Sequence, residues 1–130
     1  MRSLLAFIVL LVLLAGCQSE PPFTDNGNPG EIKAVVFYDD NRNGVMDSSE
    51  KGAQYEVTVS QEVSCPPTSP VSEQGGMSDA DGIALIQDLK PGKYCVLVYA
   101  DYSPTTKLTQ EIYVSSDMIT TVMFGGVKTE

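Results

Sequence analysis

Residues 39 to 50 carry side-chain oxygen atoms at a spacing that suits a metal ion. Positions one, three, five, nine and twelve of this segment are Asp39, Asn41, Asn43, Asp47 and Glu50. Gly44 at position six permits a sharp turn, and Val45 at position seven offers its backbone carbonyl. Oxygen ligands in this order are typical of calcium loops. The sequence therefore predicts that these residues bind calcium.

The neighbouring sequence separates this loop from a complete EF-hand. An EF-hand places a helix on each side of its loop, whereas the residues before Asp39 are apolar and β-branched, as in a strand. Three acidic side chains and two amides predict weak binding, with a Kd on the order of 0.1 to 1 mM. The chain has no histidine, which argues against the usual zinc and copper sites. A metal-free turn rich in Asp and Asn is the alternative.

From Glu31 onward the chain alternates short apolar segments with turn residues, and no helical periodicity is long enough to matter. The predicted strands are Ile32 to Tyr38, Tyr55 to Ser60, Ala84 to Leu89, Tyr94 to Val98, Gln110 to Val114 and Met118 to Phe124. The strict alternation in the second strand predicts that one of its faces is wet. The turn from Lys90 to Gly92 predicts a hairpin between the third and fourth strands. An all-β sandwich of six or seven strands follows.

Two cysteines lie within this β region, Cys65 and Cys95. In an exported protein they would form a disulfide that closes a loop of roughly thirty residues and stabilises the fold by roughly 3 to 4 kcal/mol. Two buried free thiols are the alternative.

The amino-terminal residues predict export and lipid attachment. Met1 to Ser3 form a short charged start, and Leu4 to Ala15 form an apolar run that is too short to span a bilayer as a helix. Leu14 to Cys17 resemble the lipobox of bacterial lipoproteins, in which the signal peptide is cleaved before a cysteine that carries lipid. We therefore expect a signal peptide over residues 1–16, with acyl chains such as palmitate attached to Cys17.

Cleavage before Cys17 leaves 114 residues, enough for one modest domain. Residues 17–30, rich in Pro and Gly, are expected to form a tether without helix or strand, and residues 31–130 the β-domain. The formal net charge of −9, about −10 after cleavage, makes nucleic acid an improbable partner. Gln18, instead of Asp, after the lipidated cysteine favours the outer membrane if the source has two membranes, and otherwise the outer face of the cell membrane.

Val36 to Gly52, Ser78 to Gly82 and Leu89 to Val96 resemble the B domain of serine-aspartate repeat surface proteins. That family is similar to the B-type domains of collagen adhesins. The resemblance implies a prealbumin-like β-sandwich, a non-enzymatic role and calcium-stiffened modules on cell surfaces. The family's calcium loop corresponds to residues 39–50 without a gap. Its second acidic turn corresponds to Asp79 and Asp81, where a plain hairpin turn closed by Gly82 is favoured over a second cation contact.

Two functions remain open at the level of sequence. The first is a structural or accessory module of the cell envelope, stabilised by calcium. The second is an adhesive module that binds a protein or a glycan through its loops, for which an exposed patch around Tyr99, Tyr102 and Pro104 would be expected. The alternative for Tyr99 and Tyr102 is that they cap the core. Catalysis is not expected, because the usual Ser or Cys triads require histidine and the domain leaves little room for a substrate cleft.

Overall fold

A computed structural model of the chain describes residues 22–61, 64–68 and 74–130. These ranges contain eight strands: β1 (Gly30–Tyr38), β2 (Glu56–Ser60), β3 (Gln74–Met77), β4 (Ile83–Leu89), β5 (Gly92–Tyr99), β6 (Ser103–Pro104), β7 (Thr109–Val114) and β8 (Ile119–Val127). One sheet has the order β4-β1-β8-β6 and the other the order β3-β2-β5-β7. The predicted all-β sandwich is confirmed, with one strand more than the upper estimate.

The core lies between the two sheets and is built by alternation along the strands. In β1, the side chains of Ile32, Ala34 and Val36 are fully buried in it. The core side chains of the opposite sheet include Val57 and Val96, which are also fully buried. β1 and β8 run parallel and pair along eight consecutive positions, whereas the other pairs of strands are antiparallel. This long pairing makes β1 and β8 a rigid support for the loops at their ends.

The predicted hairpin between β4 and β5 is wrong. β4 pairs with β1 in one sheet, and β5 pairs with β2 and β7 in the other, so the turn from Lys90 to Gly92 crosses from sheet to sheet. Apolar alternation only says that one face of each strand meets the core. It is the same for two strands of a hairpin and for two strands that face each other across a sandwich.

The prediction of a wet face on β2 is also wrong in part. Glu56 is exposed, but Thr58 and Ser60 are only 8% and 4% exposed. Ser60 pairs with Cys95, and Cys95 is bonded to Cys65. The disulfide therefore holds Cys65 next to the strand that pairs with Ser60.

Residues 22–29 contain no helix or strand, but they are bound to the turn between β7 and β8. The N–H of Ser116 donates to the carbonyl of Thr24 (2.9 Å), and the N–H of Asp117 donates to the carbonyl of Pro29 (3.0 Å). This part of the expected tether is thus hydrogen-bonded to the domain.

Candidate metal-binding loop

The segment from Asp39 to Glu50 forms a loop that is anchored at both ends to β1. It begins directly after Tyr38, whose N–H donates to the carbonyl of Lys51 at 2.9 Å. Phe37 forms an isolated antiparallel bridge with Gly52. The base of the loop is therefore closed by the last residues of a central strand.

Asp39 is fully buried and accepts three hydrogen bonds with its carboxylate. Oδ1 accepts from the N–H of Asn43 at 3.0 Å, and Oδ2 accepts from the N–H of Gly44 at 2.9 Å. Gly44 has a φ of 76°, in the left-handed region that glycine adopts without strain. The third donor is the hydroxyl of Thr105, which also bonds to Oδ2.

These contacts determine the charge of Asp39. Burial raises the pKa of its carboxyl, but the hydrogen bonds from Thr105 and from the backbone N–H groups of Gly44 and Asn43, together with the nearby N–H of Arg42, lower it. The net result is a pKa below the ordinary value of 3.8. A buried carboxylate that stays ionised has the charge that a cation ligand needs.

Asn41, Asn43 and Asp47 are in direct contact with one another. The side-chain amides of Asn41 and Asn43 both donate to Oδ2 of Asp47, the second at 2.9 Å. Oδ1 of Asn41 accepts from the N–H of Asn43 (3.0 Å), and Oδ1 of Asn43 accepts from the N–H of Val45 (2.8 Å). Positions three, five and nine of the predicted ligand set therefore come together.

Glu50 closes the loop from its other end. Its side chain is buried, and Oε2 accepts from the N–H of Asp47 at 2.9 Å, while Oε1 lies 3.4 Å from the N–H of Asn41. The N–H of Glu50 donates in turn to the carbonyl of Asp47 at 3.0 Å. Both carboxylate oxygens thus reach back over the loop, as a bidentate ligand at position twelve requires.

The acidic side chains of the predicted ligand set are not gathered closely enough to form a metal site by themselves. In the described ranges, no three side chains from His, Cys, Asp and Glu form a cluster that could hold a metal ion. Calcium also accepts amide and backbone oxygens, which Asn41, Asn43 and Val45 would supply. A carboxylate has about four lone-pair sites. Oδ1 of Asp39 and each oxygen of Glu50 accept one hydrogen bond, which leaves a lone pair on each for a cation.

Thr105 belongs to this site but was missed by the sequence analysis. It lies 66 residues after Asp39, so no local spacing links the two. The N–H of Thr105 donates to the carbonyl of Gly125 at 2.9 Å. A Cβ atom at Gly125 would lie 2.8 Å from the ring of Phe37 and 2.9 Å from the Thr105 hydroxyl. The pair Gly125-Gly126, directly after the predicted strand from Met118 to Phe124, was the available signal, because glycine beside a strand often marks a close approach.

The second acidic turn is closed by its own hydrogen bonds. The N–H of Gly82 donates to the carbonyl of Asp79 (2.9 Å), and Oδ1 of Asp79 accepts from the N–H groups of Asp81 and Ile83. Gly82 has a φ of 79°. The turn joins β3 of one sheet to β4 of the other and is not part of a hairpin, contrary to the prediction.

The predicted disulfide between Cys65 and Cys95 is confirmed, with Cα atoms 5.3 Å apart. Cys17, the predicted lipid attachment point, lies outside the described residues. Within the described residues, the structure has no helix of the length and apolar character that a membrane span requires.

The fold is similar to those of solved bacterial proteins. GBS52, the minor pilin of Streptococcus agalactiae, matches with a TM-score of 0.51 and 14% identity over 79% of this chain and 46% of its own. The TIE protein of Bacillus anthracis matches with a TM-score of 0.50 and 19% identity over 76% of this chain and 17% of its own. This chain therefore spans less than half of either protein. No protein-family model and no curated protein matches the sequence.

At these identities the likeness shows the fold alone, an Ig-like β-sandwich of the kind present in a Gram-positive pilin. It agrees with the B-type domain that the sequence resembles at the level of architecture.

Proposed function

We propose that this protein is a lipid-anchored component of the bacterial cell envelope whose β-sandwich binds calcium and acts as a structural or accessory module without catalysis. The loop from Asp39 to Glu50 carries this proposal. Its five side-chain ligands are linked by direct hydrogen bonds within one short segment. The loop is fixed at its base to β1, so little additional ordering is needed when an ion binds.

Calcium in this loop would stiffen one end of the sandwich. The ion binds the native state only, so it raises the free energy of unfolding. Because Asp39 also accepts a hydrogen bond from Thr105, the ion would be coupled to the segment that leads from β6 toward β7. An envelope module of this kind gains stability where calcium is present at millimolar concentration.

Export and anchoring are supported by the cysteines. A disulfide between Cys65 and Cys95 fits an oxidising compartment outside the cytoplasm. Cys17, at the end of a lipobox-like sequence, would receive the lipid and hold the protein on a membrane, and Gln18 favours the outer membrane. Two or three acyl chains are needed, since a single chain gives only marginal membrane binding.

Two measurements test the two halves of this proposal. Labelling of cells with radioactive palmitate should mark the parent and leave a Cys17→Ser variant unlabelled. Calorimetric titration with calcium should give a Kd on the order of 0.1 to 1 mM for the parent, and Glu50→Gln should weaken binding severalfold. An unlabelled parent would refute the anchor, and a parent that releases no heat with calcium and gains no stability from it would refute the metal site.

The adhesive alternative loses part of its predicted surface. Tyr99 is 52% exposed, but Tyr102 is only 4% exposed, and its ring packs edge-on against Tyr55 with the centroids 5.2 Å apart. Burial, together with the neighbouring Tyr38, raises the pKa of Tyr102 to about 12. Tyr102 is therefore part of the core and not of a patch around Tyr99 and Pro104, so the structural role is favoured.

A further inference from the structure

The amino-terminal residues 22–29 lie along the turn between β7 and β8. In addition to the backbone bonds already described, the N–H of Thr24 donates to Oγ of Ser115 (3.2 Å) and the N–H of Asn26 donates to Oγ of Ser116 (3.0 Å). The side-chain amides of Asn26 and Asn28 both donate to the carboxylate of Asp117. The chain is thus attached to this end of the sandwich from Thr24 onward.

This attachment sets how far the domain can stand from a lipid on Cys17. Only residues 18–21 separate Cys17 from Pro22. A fully extended chain spans at most ~3.3 to 3.6 Å per residue, so Pro22 lies within roughly 18 Å of the anchored cysteine. The end of the sandwich that carries the β7–β8 turn must therefore lie close to the membrane surface.

That same end carries an exposed apolar patch made of Phe23, Tyr113 and Met118. These side chains are 49%, 58% and 41% exposed. The rings of Phe23 and Tyr113 meet edge to face with their centroids 6.1 Å apart, and all three side chains line one groove of about 480 Å³. Aromatic side chains with a polar tip, such as tyrosine, favour the interface between water and lipid.

The acidic groups beside the patch are already partnered. Glu111 forms an ion pair with Lys93 at 3.0 Å. Asp117 accepts from the two asparagine side chains of the docked segment. The protein as a whole is strongly acidic, so contact with zwitterionic headgroups is favoured over contact with anionic lipid.

We propose that the patch of Phe23, Tyr113 and Met118 rests in the headgroup region of the membrane to which the protein is anchored. This inference rests on the proposed lipidation of Cys17. Contact between the patch and the membrane would orient the sandwich. β1 begins beside the β7–β8 turn and ends at the loop from Asp39 to Glu50, nine residues or about 30 Å away. The loop from Asp39 to Glu50 then points away from the bilayer, where external calcium reaches it.

The chain contains no tryptophan, so a single introduced tryptophan reports its own surroundings. We would reconstitute the full lipidated protein into phosphatidylcholine vesicles that contain brominated phosphatidylcholine. Tyr113→Trp places the reporter in the patch. Tyr99→Trp is the matched control, since Tyr99 is also about half exposed. Tyr99 is the last residue of β5, whereas Gly92, the first residue of β5, pairs with Val114 next to Tyr113. The control therefore lies at the other end of the sheet from the patch.

Tyr113→Trp should show blue-shifted emission and strong loss of intensity with brominated lipid, and Tyr99→Trp should show neither. Adding Phe23→Ser and Met118→Ser to Tyr113→Trp should abolish the quenching while the protein still floats with the vesicles. If the protein floats with the vesicles but both reporters are quenched equally and weakly, the proposed contact between the patch and the membrane is wrong, whereas the lipid anchor stands. The patch would then be available to a protein partner. Failure of the parent to float would overturn the lipid anchor and, with it, this inference.

Discussion

Thr105 donates a hydrogen bond to the buried carboxylate of Asp39 across 66 residues of sequence. This contact ties the segment after β6 to the first position of the loop from Asp39 to Glu50. The same oxygen of Asp39 also accepts from the N–H of Gly44. Both oxygens of the Asp39 carboxylate therefore hold the loop, since Oδ1 accepts from the N–H of Asn43.

Replacing Thr105 by valine should destabilise the protein and weaken calcium binding. The change keeps the shape of the side chain but removes a donor to a buried charge, which costs roughly 1.5 to 3 kcal/mol. Urea unfolding without calcium and calorimetric titration with calcium measure the two effects. Thr121→Val, at an exposed position of β8, is the control and should change neither. Equal stability of the Thr105 variant and the parent would contradict the role of this hydrogen bond.

Acid should destabilise the metal-free protein through Asp39. The pKa of Asp39 is lowered in the folded state. Between the folded and unfolded pKa values the unfolded chain binds more protons, so stability is present above the unfolded value of about 3.9 and is lost as the pH falls through the folded value. Unfolding in EDTA between pH 6 and pH 2.5 should show this loss in the parent. Asp39→Asn should make stability less dependent on pH. The control is Asp40→Asn, at the exposed neighbouring position, which should lose stability with acid as the parent does.

Reduction of the disulfide should lower stability by roughly 3 to 4 kcal/mol, because Cys65 and Cys95 close a loop with a sequence separation of 30. The comparison is denaturant unfolding with and without a reductant. A Cys65→Ala, Cys95→Ala double variant should be as unstable as the reduced parent and insensitive to the reductant. A parent that is equally stable with and without the reductant would show that the disulfide does not contribute to stability.

Hydrogen exchange should detect the docking of the amino-terminal segment. The N–H of Asn26 donates to the side chain of Ser116, so it should exchange slowly although it lies near the amino end of the described chain. Ser116→Ala removes this acceptor and should accelerate exchange at Asn26, while the N–H of Val36, which donates to Gly82, keeps its protection. Rapid exchange at Asn26 in the parent would mean that residues 22–29 are not held on the domain.

The sequence predicts the strands well because their alternation reflects burial directly. In β1, the buried Ile32 and Ala34 alternate with the half-buried Glu31 and Lys33, and the strand begins and ends within two residues of the predicted limits. Which strands pair is a different question. The alternation in β4 and in β5 is satisfied by the common core, so it could not reveal that the two strands belong to opposite sheets.

The loop from Asp39 to Glu50 could be predicted from the sequence because all its proposed ligands lie within twelve residues. Thr105 was not, since its contact with Asp39 depends on how β6 and β8 bring distant segments together. β3 was missed for a local reason. It contains Gly75 and Gly76, which have low strand propensity, and Gly75 approaches the carbonyl of Val57 so closely that a Cβ would lie 2.1 Å from that oxygen.

Thermal unfolding with and without calcium tests the metal site most directly. The parent and an Asp39→Ala, Glu50→Ala variant would be melted in EDTA and in calcium at about tenfold the Kd. At that excess, binding stabilises the native state by about 1.4 kcal/mol, which corresponds to a rise in Tm of roughly 5 to 10 °C. We expect this rise in the parent and none in the variant. An equal Tm for the parent in EDTA and in calcium would contradict the account and leave residues 39–50 as a metal-free turn.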